Sequence, residues 1–137
     1  MPLSRSRGVA LRVRSMDAPK DLRWFEELPC SVTVCDGRYR ILYLNRRSAE
    51  VNARDGGKTL VGRNLMDCHP PEAQAKLRKV MASGRPNIYT VEKKGVHKMV
   101  YQAHWKRRGR PAGLVEITFE LPRKIPHFIR EQHRASR

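Results

Sequence analysis

The spacing of apolar positions changes along the chain, and each change marks an element. In "DAPKDLRWFEEL", Leu22, Phe25 and Leu28 recur at helical spacing, Asp17 can cap and Pro19 suits a first turn. A flanking helix over 17–28 is expected, ended by Pro29. "SVTVCDGRYRILYLN" then holds two β-rich runs around Asp36–Gly37, which predicts a hairpin with strands at about 31–35 and 39–44. Asn45 is placed to cap "RRSAEVNAR", whose Ala49 and Val51 offer a small buried face before "DGGK" breaks it. "TLVGRNLMD" reads as a short turn or helix carrying Leu60, Val61 and Leu65.

After His69–Pro70, apolar Ala73, Leu77, Val80 and Met81 form an amphipathic helical stripe that Gly84 stops. The last third alternates with period two. "NIYTVEKK", "HKMVYQAHWKRR" and "AGLVEITFEL" read as strands separated by Lys94–Gly95 and "RRGRPAG". Met99, Tyr101, Ala103 and Trp105 share one face, as do Val115, Ile117, Phe119 and Leu121. Two hairpin blocks around several helices predict an α+β fold: a five-stranded antiparallel sheet with helices covering one face. Pro122 ends the sheet, and the basic tail 123–137 has a candidate helix from about Pro126.

At 137 residues the chain has the length of one domain. No run approaches the roughly 18 apolar residues of a membrane span. The apolar run Gly8–Val13 is broken by Arg12, too short for a secretory signal core, so a cytoplasmic protein is expected. Residues 1–16 read as a disordered basic arm, and Met16 is an alternative start. Three cysteines without C-x-x-C spacing predict reduced thiols, with neither a disulfide framework nor a closed zinc site.

Net charge is +16, with +4 in residues 1–20, +4 in 122–137 and +8 between. Such a field attracts polyanions and acidic proteins, but a solvated surface needs no partner. The densest basic patch is Lys106, Arg107, Arg108 and Arg110 beside Trp105, an aromatic able to stack a base. A solvated hairpin turn accounts for the same residues.

Candidate chemistry is sparse. No phosphate loop, H-E-x-x-H or G-x-S-x-G occurs, and Glu116 and Glu120 alternate with an apolar face, so no enzyme is expected. Cys68–His69 is the one adjacent pair of soft ligands. As a ligand pair it would sit at a cavity rim. As a helix entrance it needs only Pro70–Pro71, which favour extended geometry and then a first helical turn. Neighbouring residues on an extended segment point apart, so the entrance reading fits better.

From Leu28 to Leu121, about two-thirds of the chain, the sequence resembles a PAS domain. The matches are "LPCSVTVCDGRYRILYLN", "LVGRNL", the "HPPE" helix start, Gly84 and "RPAGLVEITFEL". The "DCHPPEAQ" form is similar to PAS domains of prokaryotic signalling proteins. The resemblance implies a sensor and interaction module over 29–122, a sheet cupping helices around a cavity that holds haem, flavin, a metabolite or nothing. It also implies a homodimer formed through the preceding helix and the outer sheet face. A flavin photoadduct is excluded, because Gly62–Arg63–Asn64 is followed by Leu65 and not by a thiol. The usual proximal haem position falls on Ala73–Gln74, leaving His69 as the alternative ligand, with Cys68 beside it and His97 on the penultimate strand.

Strand alternation and the family geometry together assign Val34, Leu42, Leu65, Leu77, Met81, Tyr101 and Ile117 to the cavity, with Tyr101 as its polar contact. His97 shares that face and His104 points outward. The expected function is a stand-alone sensor binding a small ligand or a signalling partner. The rivals are a basic nucleic-acid-associated protein on the same scaffold and a ligand-free dimerisation domain.

Overall fold

A computed structural model describes residues 23–131. Its five strands, β1 (Ser31–Asp36), β2 (Ile41–Leu44), β3 (Asn87–Lys93), β4 (Val96–Arg107) and β5 (Arg110–Leu121), form one sheet in the order β2-β1-β5-β4-β3. All neighbours are antiparallel. Helices α1 (Arg46–Val51) and α2 (Pro71–Ser83) and the 3₁₀ turns Ala53–Asp55, Gly57–Leu60 and Leu65–Cys68 lie between the two strand blocks. The fold is the expected α+β class.

The first hairpin turns by side-chain bonding. Asp36 Oδ1 accepts from the amides of Arg38 and Arg40, at 2.8 and 3.0 Å. These bonds, that from Arg40 first, hold its carboxyl below the usual range. The positive φ of 65° falls on Tyr39, so β2 begins at Ile41, two residues later than alternation predicted.

Asn45 caps α1 as expected, but the helix stops at Val51, which is 48% exposed. The residue α1 buries is Ser48, not the expected Ala49 and Val51, because its hydroxyl meets Thr33 Oγ1 at 2.6 Å. α2 starts with Pro71 at its first turn and ends on Gly84, whose φ of 69° is the left-handed cap that glycine adopts without strain.

The core packs Cys35, Ile41, Leu44, Leu60, Leu65, Met66, Leu77, Val80 and Leu114 between the sheet and the helices. Register shows which side of each strand faces it. Cys35, Leu114 and His104 are mutual partners, as are Thr33, Glu116, Gln102 and Asn87. The even-numbered residues of β4 and β5 therefore face the helices. The assignment of Tyr101, Ile117 and His97 to the cavity side, and of His104 to the outside, is corrected. Both faces of these strands carry apolar residues, so alternation finds the period without telling inside from outside.

Of the flanking helix expected over 17–28, only the part from Arg23 is described, and there the helical part is a 3₁₀ turn, Arg23–Phe25. The basic arm 1–16 lies outside the described residues. Pro122–Glu131 contains no helix, which corrects the terminal helix from Pro126 as far as it is described.

The segment entering β1 is fixed by polar contacts. Lys58 Nζ donates to Glu26 at 2.8 Å, and the Tyr43 hydroxyl donates to the same carboxylate. Those two bonds, that from Lys58 first, lower the Glu26 pKa below 4.5. A lowered carboxyl pKa contributes stability above the unfolded value that is lost as pH falls through the folded one. Glu26→Gln is expected to flatten the loss of stability below pH 4.5 relative to the parent chain, read from urea melts across pH. Parallel curves for the two proteins would contradict this.

Candidate functional site

The concave face of the sheet carries a row of polar side chains where an apolar floor would pack most simply. Asn87 Nδ2 donates to Gln102 Oε1 at 2.9 Å, and Gln102 Nε2 donates to Glu116 Oε2 at 2.7 Å. Thr33, the backbone partner of Glu116, continues the row to Ser48 of α1. Gln102 is 2% exposed, so its amide depends on these neighbours for hydrogen bonding. Glu116 is half-buried and accepts charge-assisted bonds from that side.

One residue pair further along, Ser31 and Thr118 flank this row and line a cleft of about 530 Å³. Arg47 and Glu50 of α1, Lys98 of β4 and Glu120 of β5 supply polar groups to its wall. Arg47 bonds Glu50 at 3.3 Å and Glu120 at 3.5 Å, bridging helix to sheet. Lys98 makes no ion pair among the described residues. The cleft thus offers the hydroxyls of Ser31 and Thr118, carboxylates paired to Arg46 and Arg47, and the Lys98 ammonium, unpaired among the described residues, a set suited to a small polar molecule.

On the other side of the polar row, His104 Nε2 meets the Met81 carbonyl at 3.0 Å and pins the end of α2 to the sheet. Tyr89 sits under the Lys76 ammonium, 5.4 Å from the ring centre, and burial pushes its phenol pKa up.

The residues expected to line a cavity separate into two groups. Leu65 and Leu77 are core, and Met81 packs against it. Val34, Tyr101 and Ile117 lie on the outer face, and Leu42 is 45% exposed. Gln102, Glu116, Thr118 and Tyr89 were missed. Their signal is cross-strand pairing, visible only once register is known.

Cys68 ends the 3₁₀ turn Leu65–Cys68 and His69 caps it, while α2 begins at Pro71 with no side-chain cap. His69 Nδ1 meets the Leu65 carbonyl at 2.7 Å, while Gln74 Nε2 donates to the carbonyls of Met66 and His69. Burial, then Asp55 and Asp67, push the Cys68 thiol up, away from the thiolate a soft metal needs. His97 faces the other side of the sheet and meets Glu92 at 3.2 Å. Among the described residues no three such side chains converge on a metal position.

In the basic hairpin, Trp105 Nε1 donates to the Cys35 carbonyl at 2.8 Å, and the Arg107 guanidinium lies 5.5 Å from its ring centre. The indole is committed to the sheet. Gly113, opposite it, has no room for a side chain, since a Cβ there would lie 1.9 Å from the Cys35 carbonyl. Arg107, Arg108 and Arg110 line a shallow cleft at the turn.

The sequence family described as PAS fold matches residues 25–120. Among solved structures, a sensory box sensor histidine kinase from Vibrio cholerae superposes with a TM-score of 0.55 at 12% identity, covering 88% of this chain and 96% of that one. The Aer2 receptor from Vibrio cholerae, a dual PAS-heme oxygen sensor, gives 0.55 at 15% identity, covering 68% and 95%. VqmA bound to DPO gives 0.58 at 18% identity, covering 74% of this chain but 57% of that one. A comparison with curated proteins matches none. Among the described residues no helix is long and apolar enough to cross a membrane.

Replacing Gln102 by Leu removes the centre of the polar row and leaves the Asn87 amide without its acceptor. The expected loss is about 2 kcal/mol of unfolding free energy by urea denaturation. A change within about 0.5 kcal/mol would mean that water replaces these bonds and that the row is not a buried network.

Proposed function

The chain belongs to the PAS fold family, and from that premise we propose that it acts as a sensor and interaction module without catalytic activity. Its ligand is a small polar molecule entering the cleft beside Ser31 and Thr118 and hydrogen-bonding to the Glu116 end of the polar row. The observation that carries this reading is the Gln102–Glu116 hydrogen bond on the same sheet face as the Ser31–Thr118 pair that lines the cleft. A polar network on a concave sheet face adds less packing than an apolar floor, but it presents oriented acceptors to a guest. Haem and flavin are not required by this reading.

The output is an altered packing of the outer sheet face in a homodimer. Support comes from the apolar character of that face, where Ile88 is 58% and Phe119 41% exposed beside Tyr101 and Ile117. An exposed apolar sheet surface of this kind favours a protein contact. Nucleic-acid recognition through the β4–β5 hairpin is less well supported, since its aromatic is held by the Cys35 carbonyl and flanked by Arg107.

An absorption spectrum and native mass spectrum of the freshly purified full chain test the reading. The expected result is a colourless protein carrying an extra small mass, lost in Thr118→Trp, which fills the cleft, while circular dichroism stays unchanged. A haem or flavin band would overturn the ligand class. A clean mass together with no thermal shift from a panel of polar metabolites would overturn ligand binding.

A further inference from the structure

The two edges of the sheet are treated differently by the chain. Along β2, Ile41 N donates to Arg63 O at 2.9 Å and Gly62 N to Ile41 O at 2.7 Å, with a bridge between Arg40 and Asn64. The start of that edge is covered by the chain's own backbone. β3, at the other end, pairs with β4 through all seven of its residues and with nothing on its far side among the described residues. Its outward amides and carbonyls form an open template for another strand.

At the Asn87 end of this strand lies a groove of about 600 Å³, lined by Lys76, Lys79, Val80 and Ser83 of α2 with Arg85 and Asn87. No carboxylate lines it, and Lys76, Lys79 and Arg85 make no ion pair among the described residues. The Lys76 ammonium is held toward β3 by the Tyr89 ring. Ile88 and Val91, on opposite faces of β3, are 58% and 41% exposed and offer apolar contacts above and below an added strand.

We propose that β3 and the basic groove beside α2 dock an extended acidic segment of a partner protein, which adds a sixth strand to the sheet. Addition of a strand to an open sheet edge is the mode by which PDZ and PTB domains take up peptides. Alternating donors and acceptors select a backbone, because a nucleic-acid phosphate supplies acceptors only and leaves the strand's carbonyls unmet. The unpaired cations select acidic side chains. A second copy of this chain is the wrong occupant, since its β3 edge would bring the same cations together on a molecule of net charge +16.

The test is an NMR titration of the ¹⁵N-labelled full chain with the blocked heptapeptide Glu-Val-Glu-Val-Glu-Val-Glu. Two further peptides carry N-methyl groups on alternate residues, one in each register. Shifts are expected in residues 76–93, with slowed exchange of the β3 amides that β4 does not bond. One methylated register should bind at least about tenfold more weakly while the other binds normally, an asymmetry that charge attraction alone cannot produce. Lys76→Glu, Lys79→Glu and Arg85→Glu together should weaken binding by about tenfold or more. No binding at about 1 mM peptide overturns the proposal. So does equal binding of both methylated peptides, or displacement of the peptide by a short duplex DNA that shifts the same residues, which would assign the groove to nucleic acid.

Discussion

The Asn45 carboxamide closes four hydrogen bonds at once. Its Oδ1 accepts from Val32 N at 3.0 Å and Ser48 N at 2.9 Å, and its Nδ2 donates to Phe25 O at 3.0 Å and Cys30 O at 2.8 Å. The backbone amide of Asn45 also donates to Val32 O at 3.0 Å. One fully buried side chain therefore holds the entering segment, the start of β1, the end of β2 and the first turn of α1. Only a residue with two donors and two acceptors at this reach meets all four demands. Aspartate would face two carbonyls with oxygen, and an apolar residue would leave two buried amides and two carbonyls unmet.

Much of the rest follows from that junction. Because α1 starts where β2 ends, its short length brings Ser48 against Thr33, and so against the polar row of the concave face. Hydrogen bonds and backbone pairs run without a gap from Gln102 and Glu116 through Thr33 and Ser48 to Asn45, and from Asn45 to the carbonyls of Phe25 and Cys30. The proposed ligand position and the entering segment thus share one rigid polar framework. Phe25, stacked edge-on against Tyr43 at 5.1 Å, is the apolar end of the same junction.

The order and kind of the elements were legible because they rest on local chemistry. Asn45, Pro71 and Gly84 each act at the position their own backbone preference dictates, and the long strands are rich in β-branched and aromatic residues. The inner face was not legible. His97, Met99 and Tyr101 alternate with Val100, Gln102 and His104, and the first set has at least as much apolar character. What decides the matter is Gln102 finding Asn87 and Glu116, and His104 finding the Met81 carbonyl. These are pairings between positions 14 to 23 residues apart, set by register and not by spacing. Leu65 and Leu77, expected as cavity lining, pack in the core, where Leu77 sits between the polar neighbours Lys76 and Arg78 and Leu65 beside the buried Met66.

That failure of alternation also explains the character of the sheet. A sheet with one solvated face shows a clean alternation of apolar and polar residues, whereas one with two employed faces does not. Here the inner face is partly polar and internally bonded, while the outer face presents Val34, Val115, Ile117 and Tyr101. The apolar residues that misled the reading of the cavity are thus the same ones that give the outer face its apolar character. Folding alone does not require Ile88 or Phe119 to be apolar, since both are largely exposed. Their exposure on a chain of net charge +16 is the feature on which the proposed dimer contact rests.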